Sequence, residues 1–212
     1  MIDYGNGVKI YGTGDKAYES DVKKLLDDRI KHNMVVNVIF NAIGAASTKD
    51  KNKTKYLTIV PFNVKDRNGK LECNAGTDPD DEEAAGPAGG LNFNGLDDAD
   101  TPVDERYKVL GTTKGGGSGS SVKFTPSMFV NAANCASGLF GGQADEIVFH
   151  EMIHGLRDLQ GLRFKIPTIG NVQTYENQEE FLAIVITNIY MSVKGTTKLR
   201  GSFDARFPWL TV

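Results

Sequence analysis

In the stretch "EIVFHEMIHGLRDLQG", residues 146–161, His150 and His154 stand four apart with Glu151 directly after the first. The chain holds three histidines, and two of them are here. On an α-helix, side chains four apart share a face, so both imidazoles can converge on one ion at Zn–N distances of about 2.0–2.1 Å. Glu151 is rotated about 100° from His150, beside such an ion without ligating it. Hydrolysis is the chemistry that suits this set: zinc acidifies a water, and Glu151 takes its proton as the oxygen attacks a carbonyl. The plainer reading is two helix-surface histidines with satisfied hydrogen bonds. An HExxH string is rare by chance, and this one falls on the strongly periodic helix that the motif requires.

Val148, Met152, Leu156 and Leu159 follow a 4, 4, 3 spacing with Phe149 and Ile153 beside them, and Gly161 stands where a helix stop belongs. A largely buried helix is predicted. A catalytic zinc site keeps three protein ligands and one open position. After His154 come "GLRDLQGLRF", with no histidine, so the continuation HExxHxxGxxH is absent. An acidic ligand on a second helix is the natural substitute, and "TYENQEEFLAIVITNIYMS" offers Glu176, Glu179 and Glu180 at or before its first turn. From Phe181 to Met191 this helix is almost entirely apolar, which predicts burial in the core. Each glutamate also has a plainer role, because Asn177 and Glu180 have capping-box spacing and acids are favoured at a helix N-terminus. Asp158, one turn after His154, and Asn188, two turns beyond Glu180, are candidates to orient an imidazole. Charge developing on a carbonyl oxygen needs a donor, and Tyr175, Tyr190, Arg157 and Arg200 are available; Tyr175, close to the acidic cluster, is preferred as that donor, a second catalytic residue beside Glu151.

The elements that must position these residues belong to one domain, 1–212. A chain of 212 residues with 40% hydrophobic and 24% charged side chains is long enough for one packed core and short for two. A net charge of −3 leaves no footprint for nucleic acid, and no apolar run reaches the roughly 20 residues that span a bilayer. Neither a nucleic acid nor a membrane is an expected partner. The opening "MIDYGNGVKIYGTGDK" lacks the basic and apolar regions of a secretory signal peptide. Cys73 and Cys135 are too few for a disulfide scaffold or a cysteine metal knuckle and read as two unpaired thiols.

Along the chain, "VKIYG" alternates like a strand, and "DKAYESDVKKLLDDRIKHN" places Val22, Leu25, Leu26 and Ile30 at helical spacing. "MVVNVIFNAIG" (34–44) and "KYLTIVPFNV" (55–64), both apolar and β-branched, are predicted as two sheet strands. Residues 66–106 hold 12 Asp and Glu against three Lys and Arg, a local balance of −9, with little helical or strand periodicity. This acidic, Gly-rich segment reads as a solvated insertion, and an EF-hand pattern cannot be placed on it. "YKVLGTTKGGGSGSSVKFTP" then reads as a hairpin with a long glycine- and serine-rich tip.

With HEMIH on one buried helix and "EEFLA" on a following one, the chain resembles the gluzincin branch of the zincin metallopeptidases. In several such families a Glu-Phe-x-Ala or similar string on the second helix carries the third zinc ligand, which implies Glu180 here. More narrowly, "GSGSSVKFTP" before "DEIVFHEMIHGLRDLQG", followed by "YENQEEFLAIVITNIY", is similar to the NleD-like metallopeptidases found as bacterial secreted effectors and toxin domains. The similarity covers about residues 107–195. One departure is Ile184, four after Glu180, where related gluzincins often carry Asp. The resemblance implies an α+β zincin-like fold: a small mixed sheet, an edge strand beside the buried HExxH helix, and a second buried helix with the third ligand. It implies one Zn2+ per chain on His150, His154 and Glu180, with Glu151 as base and a protein or peptide substrate in a target cell. Delivery would use a specialised secretion apparatus that needs no cleavable signal, with a chaperone or cognate immunity protein as a further partner; the alternative is a cytoplasmic enzyme. In zincins the substrate backbone pairs with an edge strand, here "SVKFTP". Different classes remain beside this one: a zinc amidase acting on cell-wall peptide, and a zincin-fold binding module without proteolysis, which the intact Glu151 argues against.

Overall fold

The computed structural model describes residues 1–47, 55–65, 67–69, 71–72, 74–86, 115–129, 143–163, 177–195, 198–199 and 210–211. Strands β1 (Ile2–Gly5) and β2 (Val8–Ile10) form a tight hairpin. Helix α1 (Lys16–Leu25) starts at Asp15, whose side chain accepts a hydrogen bond from the Tyr18 N–H. It widens into a π-turn, Leu26–Ile30, and Val22, Leu26 and Ile30 line up on its buried side as the spacing predicts.

Residues 34–44 correct the sequence reading. They form not a strand but most of helix α2 (Met34–Ser47). The β-branched run Val35, Val36, Val38 favours a strand by propensity, but burial decides otherwise: Val36, Ile39, Phe40, Ile43 and Ser47 share one helix face and pack into the core. The Asn33 side chain, accepting from the Val35 N–H at 2.9 Å, opens the helix.

Then come β3 (Leu57–Val60), β4 (Gly76–Pro79), the single turn α3 (Glu82–Ala85), β5 (Ser120–Lys123) and a 3-10 turn at Pro126–Met128. Helix α4 (Ala144–Gln160) carries the histidines, and α5 (Gln178–Val193) follows. A separate antiparallel pair joins β6 (Lys198–Leu199) to β7 (Leu210–Thr211). The main sheet has five strands in the order β1-β2-β3-β5-β4. β2, β3 and β5 run parallel, while β1 and β4 lie antiparallel on the two edges. Helices and a mixed sheet in this arrangement make an α+β fold.

Alternation along the strands turns Val8, Ile10, Leu57, Ile59 and Val122 to one face, all fully buried. That face joins α1, α2, α4 and α5 in one apolar cluster. Helix α4 crosses the sheet at Gly155, where a Cβ would stand 2.6 Å from Leu57 Cδ1. The glycine after the second histidine therefore lets the helix approach β3. Gly161 ends α4 in the left-handed conformation, with φ of 67°, as predicted.

Three further expectations change. The acidic segment is not structureless, since Gly76–Pro79 is a strand and Glu82–Ala85 a helical turn. "SVKFTP" is not the sheet edge: β5 is flanked by β3 and β4, and β4 holds the edge. The strong strand signal of β5 marks an interior strand, while β4, with Gly, Asp and Pro in four residues, carries almost none. The glycine run is not a free hairpin tip. Its amides dock on neighbouring backbone, Gly115 on Gly161, Gly117 on Ala84 and Ser118 on Asp158, at 2.8–2.9 Å. The first hairpin strand, 107–114, lies outside the described residues, as do Cys73 and Cys135.

Helix α5 is also less buried than its composition predicts. Ala183, Ile184, Thr187, Tyr190 and Met191 face inward, but Phe181, Val185, Ile189 and Val193 are 36%, 37%, 50% and 55% exposed. Among the described residues no helix is long and apolar enough to cross a membrane.

Candidate functional site

Helices α4 and α5 pack antiparallel. The start of α4 meets the end of α5, where Tyr190 Oη donates to Asp145 Oδ2 at 2.5 Å and Lys194 Nζ bridges Asp145 and Glu146 at 2.6 and 2.9 Å. At the other end Arg157 Nε donates to both carboxylate oxygens of Glu179 at 2.7 Å. These ties set the register that brings His150 and His154 opposite the first turn of α5. Asn177 caps that turn by accepting from the Glu180 N–H at 3.0 Å, so the capping geometry coexists with a Glu180 side chain turned to the imidazoles.

Both imidazoles are buried, 6% and 4% exposed, and turn Nε2 to a common point. His150 Nε2 lies 3.2 Å from His154 Nε2 and 3.3 Å from Glu180 Oε2, and His154 Nε2 lies 3.2 Å from Glu180 Oε1. The three residues each offer one ligand atom within 4.8 Å of the others. Four donors at about 2.0–2.1 Å from zinc in a tetrahedron stand about 3.3–3.4 Å apart, so this donor set fits the ion.

The outer ring nitrogens have partners too. His154 Nδ1 faces Glu179 Oε1 at 3.4 Å, and His150 Nδ1 faces Thr187 Oγ1 at 3.5 Å. The Thr187 hydroxyl spends its proton on the Ala183 carbonyl at 2.8 Å, so its oxygen is left to accept from His150. Acceptors at Nδ1 let each ring keep Nδ1–H and turn Nε2 to a metal once the proton that Nε2 shares with Glu180 in the metal-free site is displaced. Glu179, predicted as one alternative ligand, is thus turned to the back of an imidazole.

Burial disfavours a charged His154, but Glu179 and Glu180 more than reverse this and push its pKa up to about 10. Burial likewise opposes the Glu180 carboxylate, yet hydrogen bonds from His150 and His154 outweigh it and hold its pKa far below the usual range. A pocket that favours a proton on a buried imidazole so strongly favours a divalent cation by the same electrostatics.

Glu151 is half-buried on the side of α4 that faces the sheet edge. Thr77 of β4 sits against it, with Oγ1 2.8 Å from Glu151 Oε2 and 3.0 Å from the Glu151 carbonyl. Nothing in the sequence pointed to Thr77, which lies 74 residues upstream. Thr187 could have been found, since it stands two turns after Glu180 on the same helix face.

Asp158 is fully buried and accepts from Ser120 Oγ at 2.7 Å and from Arg163 Nη1 at 3.2 and 3.3 Å. Burial pushes its carboxyl up to about 6 against the pull of Arg163 and Ser120. Its predicted role of orienting an imidazole falls instead to Glu179. Arg157 and Tyr190, named as oxyanion donors, are engaged by Glu179 and Asp145. Tyr175, Glu176 and Arg200 lie outside the described residues. The structure therefore brings together His150, Glu151, His154, Glu179 and Glu180, with Thr77 and Thr187 added. Comparisons with known protein families, with curated proteins and with solved structures found no match for this chain.

Proposed function

We propose that the protein is a zinc-dependent metallopeptidase in which His150, His154 and Glu180 ligate the ion and Glu151 is the general base. The observation that carries this reading is the triangle of two Nε2 atoms and one carboxylate with sides of 3.2–3.3 Å, beside a glutamate that stays outside it. A bound zinc would polarise a carbonyl and lower the pKa of water to about 7. Glu151 accepts the proton of the attacking water on its free oxygen and returns it to the leaving amine nitrogen. With the ion bound in place of the Nε2 protons, Glu179 and Thr187 would accept from the Nδ1–H of His154 and His150 and so hold the two rings in place. The substrate is a protein. The likeness of the motif region to NleD-like effectors extends the proposal to a protein target inside another cell.

Metal content by elemental analysis tests the reading on wild type, His154→Ala and Glu180→Ala, each without a histidine tag. About one zinc per chain in wild type, lost from both variants, is the expected result. Cleavage of a protein substrate would then fall about 100- to 10,000-fold in Glu151→Gln with zinc retained. Wild type that takes up no zinc overturns the proposal, and release of cell-wall muropeptides without proteolysis moves it to an amidase.

A further inference from the structure

We infer that Thr77 is a positioning residue for Glu151: its hydroxyl binds one carboxylate oxygen and so leaves the other aimed at the water to be activated. The inference rests on the reading of Glu151 as general base. Thr77 is 6% exposed, and its hydroxyl has a single proton to give. The carboxylate oxygen at 2.8 Å is the stronger acceptor than the carbonyl at 3.0 Å, because it is charged. Oε2 is therefore occupied.

The hydroxyl itself is held from several sides. Thr77 pairs with Val122 across β4 and β5, and its carbonyl accepts from Arg163 Nη2 at 2.9 Å. Arg163 is in turn fixed by Asp158, and Asp158 by Ser120 of β5. A β-branched side chain has few rotamers, so a fixed backbone fixes Oγ1. Among the described residues Glu151, with three side-chain torsions and a half-buried position, has only the Thr77 hydroxyl on its carboxylate. Without Thr77 its carboxylate samples orientations in which neither oxygen faces the site. The edge strand thus contributes a hydroxyl to the base as well as closing the sheet.

A merely structural tie between β4 and α4 predicts the same contact, so the test must separate the two. It is a double-mutant cycle on zinc-loaded protein, read as binding of acetohydroxamate by calorimetry. This probe chelates zinc and needs an adjacent carboxylate oxygen to take its proton, so its affinity reports where the free oxygen of Glu151 stands. Thr77→Val is expected to weaken binding about tenfold, and Thr77→Ser to stay within about twofold of wild type, with zinc content equal in all. In a Glu151→Gln background Thr77→Val adds no further loss. Affinity unchanged in Thr77→Val, the same loss in both backgrounds, or no hydroxamate binding by zinc-loaded wild type overturns the role of Thr77 and leaves the metal site standing. Wild type that takes up no zinc overturns the metal reading, and the role of Thr77 with it. If Thr77→Val fails to fold, Thr77→Cys, close in size and only a weak donor, carries the same comparison.

Discussion

Glu179 Oε1 stands 3.4 Å from His154 Nδ1, while the next residue, Glu180, faces the other nitrogen of the same ring at 3.2 Å. Consecutive residues on a helix point about 100° apart, so one dipeptide serves both sides of one imidazole. Arg157 holds the first of these carboxylates from behind. The two glutamates therefore have separable effects. Glu179→Gln is expected to keep one zinc per chain but bind it about 10- to 100-fold more weakly, whereas Glu180→Ala loses the stoichiometric site. Competition with a chromophoric chelator measures both, and the opposite pattern would exchange the two roles.

At the proposed metal site zinc would compete with a proton for His154. Its folded pKa, pushed up to about 10, lies above the unfolded value near 6.5, so in metal-free protein its contribution to stability is full below about 6.5 and is lost as pH rises towards about 10. The metal-free melting temperature should fall over that interval. If zinc displaces that proton, the stabilisation it adds is expected to grow with pH across the same interval, with about one proton released per zinc near pH 7. Calorimetric titration in buffers of different ionisation enthalpy counts that proton. A zinc-induced rise in melting temperature that shrinks with increasing pH would contradict the assignment.

Lys194 neutralises two acids at the far end of the helix pair. Asp145 and Glu146 are 4% and 1% exposed, and burial pushes the Glu146 pKa up against the Lys194 charge. Removing the lysine leaves buried carboxylates without their cation. Lys194→Met should cost about 2–4 kcal/mol by urea denaturation, less than for a fully buried pair because the lysine side chain is 27% exposed. With Lys194 gone the folded pKa of Glu146 rises further above its unfolded value, so the loss is larger at pH 8 than at pH 5. An equal loss at both values would show that the charge is screened.

The two faces of α5 should respond differently to truncation. Ile184 is fully buried and Ile189, about 1.4 turns further along, is 50% exposed. Ile184→Ala is expected to cost about 2–5 kcal/mol and Ile189→Ala less than about 1 kcal/mol. Equal costs would mean that something covers the outer face in solution.

The first helix, the motif helix with its Gly161 stop, and the acidic start of α5 were all legible as periodicity and caps, because a helix writes its buried face into residues three and four apart. The convergence of His150 and His154 is of the same local kind, since one turn of helix is enough to align them. Residues 34–44 were misread because β-branched residues favour a strand locally, while the choice was made by packing of Val36, Ile39, Phe40 and Ile43 against the rest of the core. The outer stripe of α5 was misread because apolar composition does not say which side of a helix has a neighbour. Between Glu179 and Glu180 no local pattern could choose, since both lie in the first turn. The antiparallel register of α4 on α5, set by Arg157 at one end and by Asp145 with Lys194 at the other, placed Glu180 at the Nε2 side of the His154 ring and Glu179 at its Nδ1 side. Thr77 was invisible for the same reason in stronger form. Its hydroxyl meets Glu151 only because β4 folds back onto β5 across a long acidic segment, and a contact closed over 74 residues leaves no periodic trace in the chain.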